Sequence, residues 1–247
     1  MTDRVAAVIT NYNMPERTDA ICAHLQEYAK WPLDLIVVDN ASDLTAPSQF
    51  TTLKLEANCQ TTGGWLAGLE QARKQGSYLA YWFLITSLEL VEQTDPLSPL
   101  ASTLLDNPRA VGVHPALTWD STSAWGHLKG RSQGIPRQTW MIDNIASLWR
   151  ADWFDSSGAF DPCLKYGWGI DLETCWKARR DGRSLWVHEG VRVKKITDIG
   201  YAMRRMNMSA GARQHLAGAN MAAVLSERYG PKWWSRMTEE FVREDWR

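Results

Sequence analysis

Strand and helix patterns alternate along the first 85 residues, and this alternation constrains the fold more than any other feature. Short, apolar, β-branched runs typical of buried strands occur at residues 5–10, 35–38, 53–55 and 79–85. Helical patterns separate several of these runs, including one at residues 65–74. Strands and helices in this order predict an α/β fold with a mostly parallel sheet, right-handed crossovers and flanking helices.

The second half of the chain is less regular. A stretch rich in Gly, Ser, Trp and Pro at residues 114–139 predicts a long acceptor-binding loop. A strand at 139–149, a helix at 172–180 and a strand at 184–188 are predicted next, and the chain is helical from about residue 208, with a break at Gly230-Pro231. We therefore predict an α/β domain over residues 1–200 and a helical C-terminal extension, residues 201–247, packed on it.

Charge and cysteine content exclude several classes of protein. A net charge of −1 predicts no nucleic-acid partner. The sequence has no apolar run of 18 residues and no signal-peptide pattern at its start, which predicts no transmembrane segment. Its four cysteines lack a C-x-x-C spacing, which favours free thiols over disulfides or a zinc site. These features together predict a cytoplasmic protein.

Polar residues follow three of the predicted strands. Asn11, Asp39 and Ser87 each lie just beyond a strand end. Parallel sheets bind their ligands outside the carboxyl ends of the strands, so we expect these residues to converge on one crevice.

Several segments, in their order along the chain, resemble the inverting family 2 glycosyltransferases, in particular rhamnosyl- and galactofuranosyltransferase-like members. The resemblance covers residues 4–195 and implies a GT-A fold that binds a nucleotide-sugar donor. It is carried by the segments at 5–13, 35–43, 58–69, 158–161 and 167–173 and by Asp181-Gly182.

The resemblance implies a donor site around the first two strands, formed by Thr10, Asn11, Tyr12 and Asp39. Tyr12 would stack on a uracil or thymine ring, and the alternative is a loop aromatic that packs on the next helix. Asp39 would accept a hydrogen bond from the base or the ribose, and Thr10 would bond to the base edge. The alternative for Asp39 is a turn-forming residue.

Gly63 and Gly64 precede the helix predicted from Trp65. Glycines let a backbone approach a ligand closely, and a helix start favours anionic groups. The two glycines are therefore candidate donor-binding residues, and a plain tight turn is the alternative.

Asp171 is the candidate general base implied by the resemblance. Inverting transfer needs a carboxylate on the acceptor side to take the proton of the attacking hydroxyl. Asp171 also starts a predicted helix, so the alternative is a structural role as the helix N-cap. Glu173, at a second acidic position of the same block, and Trp168 are candidate acceptor-binding residues.

The sequence differs from the family at two positions that are associated with a bound metal ion in other members. Ser87 occupies the place of the metal-binding Asp, and Lys194 that of a metal-associated His. Mg²⁺ and Mn²⁺ prefer carboxylate oxygens, so we predict donor binding without a metal cofactor, with Lys194 in place of the cation. Lys195 or Arg192 would assist. The alternatives are that Glu89 or Asp95 supplies the missing carboxylate to Mg²⁺ or Mn²⁺, or that catalysis is lost.

The sequence thus predicts a hexosyl- or deoxyhexosyltransferase that uses a UDP- or dTDP-sugar and a glycan or small-molecule acceptor. One rival is a catalytically degenerate GT-A-like protein that binds nucleotide sugars or serves as a partner subunit. Another is a nucleotidyltransferase. In the C-terminal extension, Met203, Met206, Met208 and Trp233-Trp234 either pack the helices on the sheet or form an acceptor wall or a homodimer surface.

Overall fold

The computed structural model describes residues 3–123, 125–131, 134–196 and 209–238. These residues form a mixed α/β structure in which one nine-stranded, mostly parallel sheet is flanked by helices. The predicted fold class is confirmed.

The strands and helices are numbered in chain order. The strands are β1 (Val5–Asn11), β2 (Leu33–Asp39), β3 (Leu53–Lys54), β4 (Ala80–Ile85), β5 (Leu88–Leu90), β6 (Ala110–Leu117), β7 (Pro136–Thr139), β8 (Leu148–Arg150) and β9 (Ser184–Lys195). The helices are α1 (Pro15–Tyr28), α2 (Gln60–Gln75), α3 (Ser98–Asp106), α4 (Ala151–Ser156), α5 (Ile170–Arg180), α6 (Ala210–Tyr229) and α7 (Trp233–Thr238).

The strand order is β3-β2-β1-β4-β8-β6-β9-β5, and β7 pairs with β9. Strands β3, β2, β1 and β4 are parallel to one another, and β6 is parallel to β9. Strands β8, β5 and β7 run antiparallel to their neighbours. The register places Asn11 opposite Asp39 and Thr10 opposite Ile85, so the polar residues after β1, β2 and β4 lie at one edge of the sheet.

Two apolar layers cover the two faces of the sheet. Alternate residues of a strand point to opposite faces, so Val8 packs in one layer with Trp65 of α2. Ile9 packs in the other layer with Ile21 of α1 and Leu100 of α3. Burial of both faces explains why β4 and the first five residues of β1 are apolar.

The predicted strand at 139–149 is two strands, β7 and β8, with a turn over residues 140–147 between them. Asn144 favours a turn because its side-chain oxygen accepts hydrogen bonds from Ser147 Oγ (2.7 Å) and Trp149 Nε1 (3.3 Å). The predicted loop at 114–139 contains the end of β6 and all of β7.

The C-terminal helices break near Gly230, as the sequence predicts. Trp233 is buried and Trp234 is half-exposed. Residues 197–208 lie outside the described part of the chain, and with them Met203, Met206 and Met208, so the domain division at residue 200 stays a prediction. Among the described helices, none has the length and apolar character needed to cross a membrane.

Candidate functional site

A pocket opens at the carboxyl ends of β1 and β4. Thr10 and Tyr12 line it from the end of β1, and Ser87 from the turn after β4. Lys195 reaches it from the end of β9 and Arg213 from α6. The edge of the sheet where the sequence predicts ligand binding therefore carries a cavity with aromatic, hydroxyl and cationic groups.

Three polar atoms of the pocket residues are buried and have no hydrogen-bond partner among the described residues. They are Thr10 Oγ1, Gln60 Oε1 and Trp65 Nε1. A buried polar group without a partner costs about 1–3 kcal/mol, so these groups are suited to a polar ligand. Tyr12 lies nearby, and its hydroxyl donates to Asp43 at 3.3 Å.

Asn11 and Asp39 lie beneath this pocket and do not line it. Asn11 Nδ2 donates to Asp39 Oδ1 at 3.1 Å, and Asp39 Oδ2 accepts from the Ser42 backbone N–H at 3.2 Å. Asn11 Oδ1 accepts from the Met14 N–H at 3.1 Å. These bonds match the turn-forming interpretation of Asp39. Asn40, the next residue along the chain, does line the pocket.

Gly63 and Gly64 lie inside α2, which begins five residues earlier than predicted, at Gln60. A Cβ atom on Gly64 would lie 2.5 Å from Thr10 Cγ2, so glycine is needed for the close packing of α2 on β1. Neither glycine lines the pocket, whereas Gln60 and Thr61 from the same helix start do.

Lys194 and Lys195 point in different directions because successive side chains of a strand face opposite sides. Lys194 Nζ donates to Asp120 Oδ2 at 2.5 Å and does not line the pocket. Lys195 lines the pocket together with Ser87, whose carbonyl accepts from the Ile196 N–H at 3.0 Å. Lys195, not the predicted Lys194, is therefore the β9 cation at the site.

The pocket residues do not suit Mg²⁺ or Mn²⁺. Its lining contains hydroxyl, amide and cationic groups but no carboxylate among the described residues. Asp95 accepts from the backbone N–H groups of Leu97 (2.9 Å) and Ser98 (3.2 Å) at the start of α3, and Glu89 lies 4.0 Å from Arg17. Neither carboxylate belongs to the pocket lining, and the described residues contain no group of three or more His, Cys, Asp or Glu that could hold a metal ion.

Asp171 is buried in the first turn of α5, with its Oδ1 accepting the Leu172 N–H at 2.9 Å. The N-cap is Gly169, whose φ of 85° and close contact with Met221 require glycine, so the N-cap interpretation of Asp171 was wrong. Burial, and then the negative charge of Asp143, raise the pKa of Asp171 to about 7. A carboxylate with this pKa accepts a proton readily near neutral pH.

Asp143 is a site residue that sequence reasoning missed. It lies in the turn between β7 and β8 and keeps partial contact with solvent. Burial raises its pKa, and the positive charge of Lys195 opposes that rise. The Asp143-Asn144 pair inside an apolar run is a turn signal, but the strand prediction over the same residues concealed it.

Glu173 is fully buried and faces away from the pocket, in contact with the C-terminal helix. It accepts from Tyr229 Oη at 2.5 Å, and its carboxylate lies 3.3 Å from Lys177 Nζ and 3.7 Å from Arg228. Glu173 thus connects α5 to α6, and its acceptor role stays a prediction. Trp168, the other candidate acceptor-binding residue, lines the pocket and is half-exposed.

The helix α6 of the C-terminal extension also reaches the pocket. Arg213 Nη2 donates to Thr61 Oγ1 at 3.2 Å, and its guanidinium lies 6.0 Å from the Tyr166 ring centroid. Both partners belong to the pocket lining. A second cation thus joins Lys195 at the site.

No protein-family model matches the chain, and no curated protein matches it in sequence. Its structure is similar to the crystal structure of GalNAc-T7 with UDP, GalNAc and Mn²⁺, with a TM-score of 0.68 and 12% sequence identity. The match covers 98% of this chain and 51% of GalNAc-T7, so the chain spans about half the length of that protein. The similarity confirms the GT-A glycosyltransferase fold. Membership of family 2 stays a prediction.

Proposed function

We propose that this protein is an inverting glycosyltransferase that moves a sugar from a pyrimidine nucleotide diphosphate sugar, UDP- or dTDP-linked, to an acceptor hydroxyl. The observation that carries the proposal is one pocket lined by an aromatic ring, Tyr12, and two cations, Lys195 and Arg213. The buried carboxylate of Asp171 lies outside this lining, and the charge of Asp143, on which Lys195 acts, raises its pKa after burial. The GT-A fold supports the same reaction class.

The donor lies across the strand ends. Tyr12 stacks on the pyrimidine ring, and Thr10 Oγ1, which has no partner among the described residues, bonds to the base edge. Lys195 and Arg213 neutralise the diphosphate, and Ser87 donates a hydrogen bond to it. This arrangement replaces the divalent cation with two side-chain cations, so donor binding is independent of a metal.

Transfer is a single displacement at the anomeric carbon. The acceptor hydroxyl oxygen attacks the face opposite the diphosphate, and its proton passes to the Asp171 carboxylate. The bond from the anomeric carbon to the phosphate oxygen breaks, and the nucleoside diphosphate leaves with the bonding electrons. Lys195 and Arg213 stabilise the charge that develops on the leaving group.

The two lysines at the end of β9 provide the sharpest test of the donor site. Calorimetric titration of UDP and dTDP should show that Lys195→Ala weakens binding about 10- to 100-fold, because a charge-assisted hydrogen bond contributes about 1.5–3 kcal/mol. Lys194→Ala, which removes an identical charge from the side facing Asp120, should change the affinity less than about twofold.

The same titrations with EDTA test metal independence. We expect equal affinity with and without the chelator, and a large loss of affinity in EDTA would contradict the proposal. A screen of UDP- and dTDP-sugars with mixed acceptors then identifies the substrates. Nucleotide binding with no turnover of any sugar would favour the degenerate binding protein, and phosphodiester products would favour a nucleotidyltransferase.

A further inference from the structure

The turn between β7 and β8 packs on the face of α5 that carries Asp171. The Ile142 N–H donates to Cys175 Sγ at 3.3 Å, and Cys175 Sγ donates to the Ile142 carbonyl at 3.5 Å. Cys175 lies four residues after Asp171, on the same side of the helix. Asp143 follows Ile142 directly, so this contact brings Asp143 to the face of α5 that carries Asp171, close enough for its charge to act on Asp171.

Further hydrogen bonds fix the turn on both sides of Asp143. The Arg179 guanidinium, one helical turn beyond Cys175, donates to the Trp140 carbonyl. After Asp143, Asn144 Oδ1 accepts from Ser147 Oγ at 2.7 Å and from Trp149 Nε1 at 3.3 Å. The position of Asp143 relative to α5 is therefore determined by the fold.

Charges from three elements meet at this point. The charge that acts on Asp171 from outside α5 is that of Asp143, and the cation that acts on Asp143 is Lys195 of β9. Lys195 is also a residue of the nucleotide pocket. Asp143 is thus a common neighbour of Asp171, the carboxylate that accepts the proton, and of Lys195, the cation that binds the diphosphate.

The other titratable groups at this point do not change charge near neutral pH. Burial raises the pKa of the Cys175 thiol to about 12, so the thiol stays neutral between Asp171 and Arg179. Burial lowers the pKa of His114, which contacts the Asp143 backbone, to about 3, so its ring also stays neutral. Arg179 stays charged at any physiological pH.

We propose that Asp143 is a positioning residue of the transfer reaction: beside Asp171 and facing Lys195, it holds the negative charge that makes Asp171 the group that takes the acceptor proton. Two neighbouring carboxylates repel each other when both are ionised, so the second one ionises only at higher pH. Lys195 stabilises the charge on Asp143, so Asp171 is the second to ionise and, once ionised, the stronger base. This inference rests on the proposed transfer function.

The pH profile of kcat/KM tests this role, because a merely structural residue would not move it. In Asp143→Asn the acid limb should move to lower pH by roughly one unit, because the like charge beside Asp171 is gone. At pH 8 the rate should fall about 3- to 10-fold, because a weaker base remains.

The matched control is Asp120→Asn, which changes a carboxylate near Lys194 and outside the pocket and should leave the pH profile unchanged. A folded Asp143→Asn protein with an unchanged acid limb would overturn the inference.

A titration of the protein alone separates this inference from the proposed function. Carboxyl-carbon NMR should show that Asp143→Asn lowers the Asp171 midpoint, and that Asp171→Asn lowers the Asp143 midpoint by the same amount, because coupling is reciprocal. Either variant is sufficient if the other does not fold. Independent titrations would overturn the inference even in an active transferase, and coupled titrations without any turnover would count against the transfer function instead.

Discussion

The proposed donor side of the pocket is built mainly from one continuous segment, whereas the proposed acceptor side is assembled from distant parts of the chain. Residues 5–87 supply Thr10, Tyr12 and Ser87 through neighbouring parallel strands. Asp143 and Asp171 come together only because the β7–β8 turn packs on α5. Local patterns therefore predict the first group of residues far better than the second.

Two buried carboxylates, Asp39 and Asp171, differ in how their surroundings treat a negative charge. Asp39, on the proposed donor side, accepts hydrogen bonds from Asn11 Nδ2 and the Ser42 N–H, which hold the turn after β2. Asp171, on the acceptor side, has backbone donors but also the like charge of Asp143 beside it. A buried carboxylate that accepts enough hydrogen bonds stabilises the fold. A buried carboxylate whose ionised form is destabilised by its surroundings binds a proton more tightly and is suited to proton transfer.

The largest expected effect is on transfer by Asp171→Asn. Loss of the proton acceptor should reduce kcat by about 10²- to 10⁴-fold, while the Kd for UDP or dTDP changes less than about twofold. Steady-state kinetics and calorimetry measure the two quantities. Glu70→Gln, which removes an exposed carboxylate on α2, serves as the control. If Asp171→Asn keeps a tenth of the wild-type rate, Asp171 is not the proton acceptor of the transfer reaction.

The second effect is the pH dependence of stability. The pKa of Asp171 is about 7 in the folded protein and near 4 when unfolded, so the folded state binds the proton more tightly. Stability from this group is complete below pH 4 and is lost as pH rises to 7. Denaturant unfolding should show Asp171→Asn gaining stability over wild type between pH 4 and 8, by at most about 4 kcal/mol. A pH-independent difference would contradict the prediction.

Asp39→Ala should change stability in the opposite direction at pH 8. The substitution leaves Asn11 Nδ2 and the Ser42 N–H without their acceptor in a buried place, which costs about 1–3 kcal/mol. The same denaturant measurement applies. If both carboxylate variants shift the free energy of unfolding in the same direction, the distinction between the two sides of the pocket is wrong.

The smallest effect concerns the attachment of α6. Arg228 contacts Asp161 at 2.5 Å and Glu173 at 3.7 Å, and both carboxylates are buried. Arg228 itself is 41% exposed, so solvent screens the pair and Arg228→Met should cost only about 1–2 kcal/mol of unfolding free energy. Thermal unfolding checks this value against Lys232→Met, an exposed cation before α7. An equal effect of the two variants would show that the ion pairs do not hold the helix.

The sequence by itself determined the α/β class, the strands of the first 85 residues, the break at Gly230 and the polar residues at the strand ends. These features follow from short-range chemistry: apolar runs, glycine and proline at turns, and side-chain periods of a few residues. The acidic block at Asp171 was identified instead through its resemblance to the family 2 glycosyltransferases, which is carried by residues that are close in the chain.

Only the tertiary structure decided which lysine of β9 faces the pocket, which carboxylate neighbours Asp171 and which helix adds the second cation. A shift of one residue in strand register exchanges the sides that Lys194 and Lys195 face, and no local pattern fixes that register. The pKa of Asp171 likewise depends on water being excluded by segments far apart in the chain. Desolvation and proximity are properties of the packed molecule, and for that reason they could not be predicted from the order of the residues.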